Sequence, residues 1–148
     1  MQKEDAMKRI RAAKSAHLQW RARAQALVAG LPMDDSKVPV MHTDCKFGQW
    51  YYGDGQELGS LDSYRAIEVP HEILHGVYMK IFKALHEEDE RSALAKLFGK
   101  KSKHKDLALQ EARGYLSELV DVSGTLLATI EELEKDLKGM SNDEIREL

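Results

Sequence analysis

The chain has 148 residues, of which 43% are hydrophobic and 32% charged, with a formal net charge of −3. That length suits one domain with room for a core, and the balance belongs to a folded, helix-rich chain and not to a disordered one. A mildly acidic chain gives no electrostatic footprint for nucleic acid, and no apolar run approaches the ~20 residues of a bilayer span.

In chain order, the first predicted helix covers about residues 3–29. Its apolar stripe, Ile10, Ala13, His17, Trp20, Ala24 and Leu27, advances in steps of three and four. Gly30 and Pro32 stop it. LPMDDSKVPVMHTD, residues 31–44, carries two prolines and many turn formers and reads as a connecting loop. DCKFGQWYYGDG reads as a short helix, capped by Asp44 and closed by Gly53 and Gly55. A turn or short helix at 64–69 precedes a third helix over about 70–86, with Pro70 in its first turn and the stripe His71, His75, Tyr78, Phe82 and Leu85.

After the acidic EEDE, a separate helical piece is predicted over about 89–98, and the basic KKSKHK at 100–105 reads as a solvated turn. The last long helix, about 106–138, carries the stripe Ala112, Leu116, Leu119, Ser123, Leu126, Ile130, Leu133 and Leu137. SNDE at 141–144 has the form of a capping box. The expected fold is all-α, a single domain over 1–148: an antiparallel four-helix bundle with a short extra helix carrying Cys45.

Three histidines stand where leucines belong. His17 lies mid-stripe on the first helix, and His71 and His75 on the third. Buried imidazoles cost stability unless each finds a partner, and one metal ion satisfies all three. The i, i+4 spacing of His71 and His75 lets both converge on one ion, and the thiolate of Cys45, the sole cysteine, would complete a tetrahedral His3Cys set. Imidazole with thiolate favours Zn2+, with copper and nickel as competitors. His42, three residues before Cys45, is an alternative ligand from a polar loop, while His86 and His104 sit among charges.

HEILH at 71–75 also fits the H-E-x-x-H pattern of zinc peptidases. A peptidase zinc keeps an open position for water, which His3Cys closes, and the metzincin extension fails at Tyr78 and Ile81. No predicted strand offers an edge to an extended substrate. A small metallopeptidase is therefore the disfavoured alternative, no catalytic residue is assigned, and Glu72 is expected in solvent.

The set HLQW (17–20), CKFGQW (45–50) and HEILH (71–75) resembles the chemoreceptor zinc-binding domain family, CZB, over about residues 5–135. The family shows H-x-x-W, C-x-[LF]-G-x-W and H-x-x-x-H elements at similar separations. The resemblance implies zinc ligands at His17, Cys45, His71 and His75, with Trp20 and Trp50 at its aromatic positions. It also implies a helical, cytoplasmic and commonly dimeric domain that regulates chemoreceptor or diguanylate cyclase partners. Members are linked to sensing of zinc and of hypochlorous acid through the cysteine. The expectations are accordingly a stand-alone regulatory protein that is not an enzyme, with a static structural zinc as the competing reading. The N-terminal MQKEDAMKRI lacks an apolar signal sequence, which agrees with a cytoplasmic site.

Overall fold

Helix α1 (Lys3–Val28) ends in a Schellman motif: Gly30 takes φ +93, its N–H bonds Leu27 O at 3.1 Å, and the Leu31 N–H bonds Ala26 O at 3.1 Å. In this computed structural model the residues described are 1–32, 41–98 and 105–148. Most of the expected 31–44 loop, and residues 100–104 of the basic cluster with His104, lie outside them. After the loop come α2 (Lys46–Tyr51), a 3-10 turn (Asp54–Leu58) and α3 (Asp62–Arg65). Then follow α4 (Glu68–Leu97), α5 (Lys105–Gly139) and α6 (Asn142–Arg146). No strand occurs among the described residues.

The expected all-helical architecture is found, but the described residues do not confirm a four-helix bundle. Among the described residues there are three long helices, α1, α4 and α5, because the pieces predicted at 70–86 and 89–98 are one helix. No glycine or proline interrupts residues 77–97, and glutamate is a good helix former, so EEDE continues the helix instead of breaking it. Pro70 is the third residue of α4, in the first turn, where its missing N–H leaves no bond unmade.

Helix α1 runs antiparallel to α5. Arg11 pairs with Glu134 at 3.4 Å and Lys14 with Glu131 at 2.5 Å, while Lys3 Nζ caps the end of α5 through Lys138 O at 2.8 Å and Met140 O at 2.7 Å. Helix α4 is also antiparallel to α5: Ser63 Oγ, just before it, reaches Asp136 at 2.5 Å, and Lys80 lies 5.6 Å from the Tyr115 ring centroid. Thus α1 and α4 run parallel to each other, joined by the segment that carries α2 and α3. The capping box expected at SNDE is present, Ser141 and Glu144 each bonding the other's backbone.

The core falls into two clusters. One gathers Ile10, Ala13, Phe47, Trp50, Leu58, Ile67 and Leu74 with Leu126 to Leu137 of α5, and Ile145 of α6 closes it. The other gathers Ala24, Leu27, Val28, Val77, Tyr78, Ile81, Ala112 and Leu119. The α4 stripe follows Leu74, Val77 and Ile81, while Phe82 and Leu85 are only half-buried. Their difference from the expectation has a simple cause: α1 ends at this level, and further along the α4–α5 hairpin Leu97 and Phe98 are 80% and 76% exposed.

Candidate metal centre

Each candidate ligand is set by its own helix. His17 is 2% exposed in the middle of α1, where its Nδ1–H donates to Ala13 O at 2.7 Å. Only a protonated nitrogen can face a carbonyl oxygen, so the tautomer is fixed and Nε2 keeps its lone pair. His71 and His75, 0% and 3% exposed, stand one turn apart on α4 with ring centroids 4.8 Å apart. The His17 ring lies 5.0 Å from that of His71 and 6.0 Å from that of His75.

Cys45, not the expected Asp44, is the N-cap of α2. Its extended backbone turns Sγ back over the first turn, where it accepts the Gly48 N–H at 3.2 Å, and the thiol donates to His42 O at 3.4 Å. The helix then closes on Tyr52, not on Gly53 and Gly55, which belong to the following turn. Gly48 has its own reason to be glycine. A Cβ there would lie 1.8 Å from His42 O, because the 42–45 turn crosses directly over it.

Three helices thus bring four donors together. The ligand atoms of His17, Cys45, His71 and His75 all lie within 4.8 Å of one another. A tetrahedral zinc with bonds of about 2.05 Å to nitrogen and about 2.3 Å to sulfur spaces those donors about 3.3–3.6 Å apart. Cys45 Sγ and His71 Nε2 are already 3.4 Å apart, so small side-chain rotations bring in the rest. The electrostatics agree. Burial, reinforced by His17, His75 and His42, pushes the His71 pKa down to about 2, so its ring is neutral. Burial also lowers His17, against the opposing Ala13 bond. Neutral imidazoles offer lone pairs without competition from protons.

Burial raises the Cys45 thiol, partly offset by the N–H groups of Gly48 and Phe47. It holds its proton until a cation displaces it. His71 Nδ1 is buried with no hydrogen-bond partner among the described residues, a cost that a metal on Nε2 makes worthwhile. The residues present fit zinc.

The remaining sequence candidates fall outside this cluster. The His42 ring is half-buried, 5.9 Å from that of His71, and contributes its carbonyl to the Cys45 turn. Glu72 is exposed on the outer side of α4, and His86 is exposed 3.5 Å from Glu90. Trp20 packs 4.5 Å from the His75 ring, and Trp50 is core beside Phe47. A cleft of about 410 Å³, bordered by Arg9, Ala16, Trp20 and Lys46, opens onto His17, Cys45 and His75. Sequence reasoning did not single out Gly48 or Ser123, a buried hydroxyl in an otherwise apolar stripe. The stripe itself was the available signal for the second.

Among the described residues the regular elements are all helical, and three buried imidazoles and a capping thiol converge on one point, an arrangement that can hold a metal ion. Residues 17–82 match the family model of the chemoreceptor zinc-binding domain, CZB, and domains of that family are zinc-binding signalling domains. The match contains all four candidate ligands and leaves α5 outside, a narrower span than the 5–135 read from the motifs. Comparison with curated proteins and with solved structures finds no match. Among the described residues, no helix is long and apolar enough to cross a membrane.

Proposed function

We propose that this protein is a zinc-binding regulatory module of bacterial signalling, in which His17, Cys45, His71 and His75 hold one zinc ion. The carrying observation is the convergence of those four donors from α1, α2 and α4. His17 presents Nε2 because Ala13 O holds its other proton, and Cys45 releases its thiol proton on binding. Bound there, zinc supplies the charge that holds a thiolate in a buried site and the bonds that tie three helices together. Four protein donors leave no position for a catalytic water, and Glu72 is exposed and outside the donor cluster.

Cys45 makes the site responsive. It is the half-buried member of the set, reached through the cleft between α1 and α2. A thiolate and hypochlorous acid give a sulfenic acid and chloride: sulfur takes the oxygen and loses two electrons, and chlorine leaves reduced. The sulfenic acid is the poorer ligand, so α2 loosens from α1 and α4. Zinc level, oxidant or both would then set how the module engages a chemoreceptor or a diguanylate cyclase, in the cytoplasm and as a homodimer. The deep burial of the three histidines favours a second reading, a purely structural zinc.

Purified protein is expected to carry close to one zinc per chain, with one sulfur and three nitrogen neighbours by X-ray absorption. Cys45→Ala should lose most of the affinity. A spectrum of nitrogen and oxygen alone would defeat the ligand set. Hypochlorous acid should release zinc faster from wild type than from zinc-loaded Cys45→Ser, and equal rates would leave the structural reading.

A further inference from the structure

The buried polar side chains among the described residues are His17, His71, His75 and Ser123. Three are donors of the metal cluster. The fourth comes from α5, the one long helix that supplies no donor. Ser123 is 0% exposed in the stripe Ala112, Leu119, Leu126, Ile130, and its Oγ has no hydrogen-bond partner among the described residues. A buried hydroxyl without a partner destabilises, and Ser is a poorer helix former than Ala, so neither packing nor propensity accounts for it.

Its height in the fold does. Ser123 falls between Leu119 of one apolar cluster and Leu126 of the other, as His17 falls between Ala13 and Ala24. The contacts Ser63–Asp136 and Lys80–Tyr115 set the antiparallel register of α4 and α5, which puts Ser123 level with the His71–His75 turn. At that level stands the complementary defect. His71 turns Nε2 to Cys45 Sγ at 3.4 Å, and its Nδ1 is buried without a partner. A histidine that gives one nitrogen to a metal carries its proton on the other and needs an acceptor there. His17 meets that need with Ala13 O. The Ile67 carbonyl, four residues before His71, accepts the His71 backbone N–H at 3.1 Å but not the ring Nδ1–H.

We infer that Ser123 is a positioning residue of the metal centre, its hydroxyl accepting the Nδ1–H of His71, directly or across one water, when His71 Nε2 holds the ion. This rests on the zinc reading above. The hydroxyl orients the ring and raises its basicity as a donor, so the long helix without a ligand acts on the site through His71.

The test is Ser123→Ala in the full chain, with zinc affinity measured by chelator competition and thermal unfolding of the metal-free form measured beside it. The expected result is zinc affinity weakened by about 10–100-fold. The metal-free Tm should be unchanged or raised, since the substitution removes an unpartnered hydroxyl. In zinc-loaded wild type, the His71 Nδ1–H should give a slowly exchanging NMR signal that Ser123→Ala loses. Wild-type affinity in the variant, or a metal-free protein destabilised in step with the affinity loss, would overturn the role of Ser123 and leave the zinc site standing. Absence of zinc binding by wild type would overturn the site itself.

Discussion

The tightest spatial demand in the centre falls on a residue that touches no metal, Gly48. Gly48→Ala places a methyl carbon 1.8 Å from His42 O and 2.8 Å from His42 C, where ordinary contact begins at 3.4 Å. The 42–45 turn and α2 must therefore part by about 1.6 Å, the gap between those values, and both obstacles are backbone, with no rotamer to yield. Alanine inside a helix normally gains about 1 kcal/mol over glycine. Overpacking a tight site costs about 1–3 kcal/mol, and here the overlap is large, so the net expectation is destabilisation of about 1–2 kcal/mol. The displaced segment carries the Sγ bonds to Gly48 N and His42 O, so the thiol leaves its place opposite His71. Zinc affinity should fall by at least about tenfold, as for a lost supporting contact. Urea denaturation of the metal-free protein and chelator competition measure the two effects separately. A Gly48→Ala protein with wild-type or greater stability and unchanged zinc affinity would refute the close crossing over α2.

Acidification and one buried hydroxyl give further checks. In the metal-free protein the folded pKa values of His71 and His17 lie below the ordinary imidazole value of 6.5, so below that value the unfolded chain binds more protons. Their contribution is fully present above pH 6.5 and is lost as pH falls from there toward the folded values. The urea midpoint should therefore drop between pH 7.5 and 5.5, and a flat profile would contradict neutral buried rings. Tyr64→Phe removes a hydroxyl that donates to Tyr51 O and accepts from Gln56 Nε2 at 3.1 Å. It should cost about 1 kcal/mol in the same assay, with zinc affinity kept. A matching fall in affinity would tie the Tyr51 and Tyr64 rings, stacked 4.3 Å apart, to the metal site.

The helical stretches and the burial of three histidines were legible because periodicity is local. A histidine at a leucine position reports burial from its neighbours three and four residues away, and this holds for His17, His71 and His75 alike. What escaped depended on the path of the chain. Acidic residues at 87–90 look like a break only if charge is taken for a helix stop, whereas nothing there removes a backbone bond. That Cys45 and not the expected Asp44 caps α2 follows from which side chain turns back over the first turn, a choice sequence does not specify. The crossing over Gly48 and the level of Ser123 need the register of separate elements, which no single stretch encodes.

The polar layer has a consequence for how the molecule comes apart. It cuts across the middle of a core whose two apolar halves have separate memberships. If the imidazole layer is the weaker link between the two clusters, the halves of the metal-free protein open with different free energies. Zinc held by His17, Cys45, His71 and His75 would add bonds at that level and draw the two opening energies together. Hydrogen exchange at α1, which crosses the plane from end to end, would then record the ion as a change from two opening energies to one.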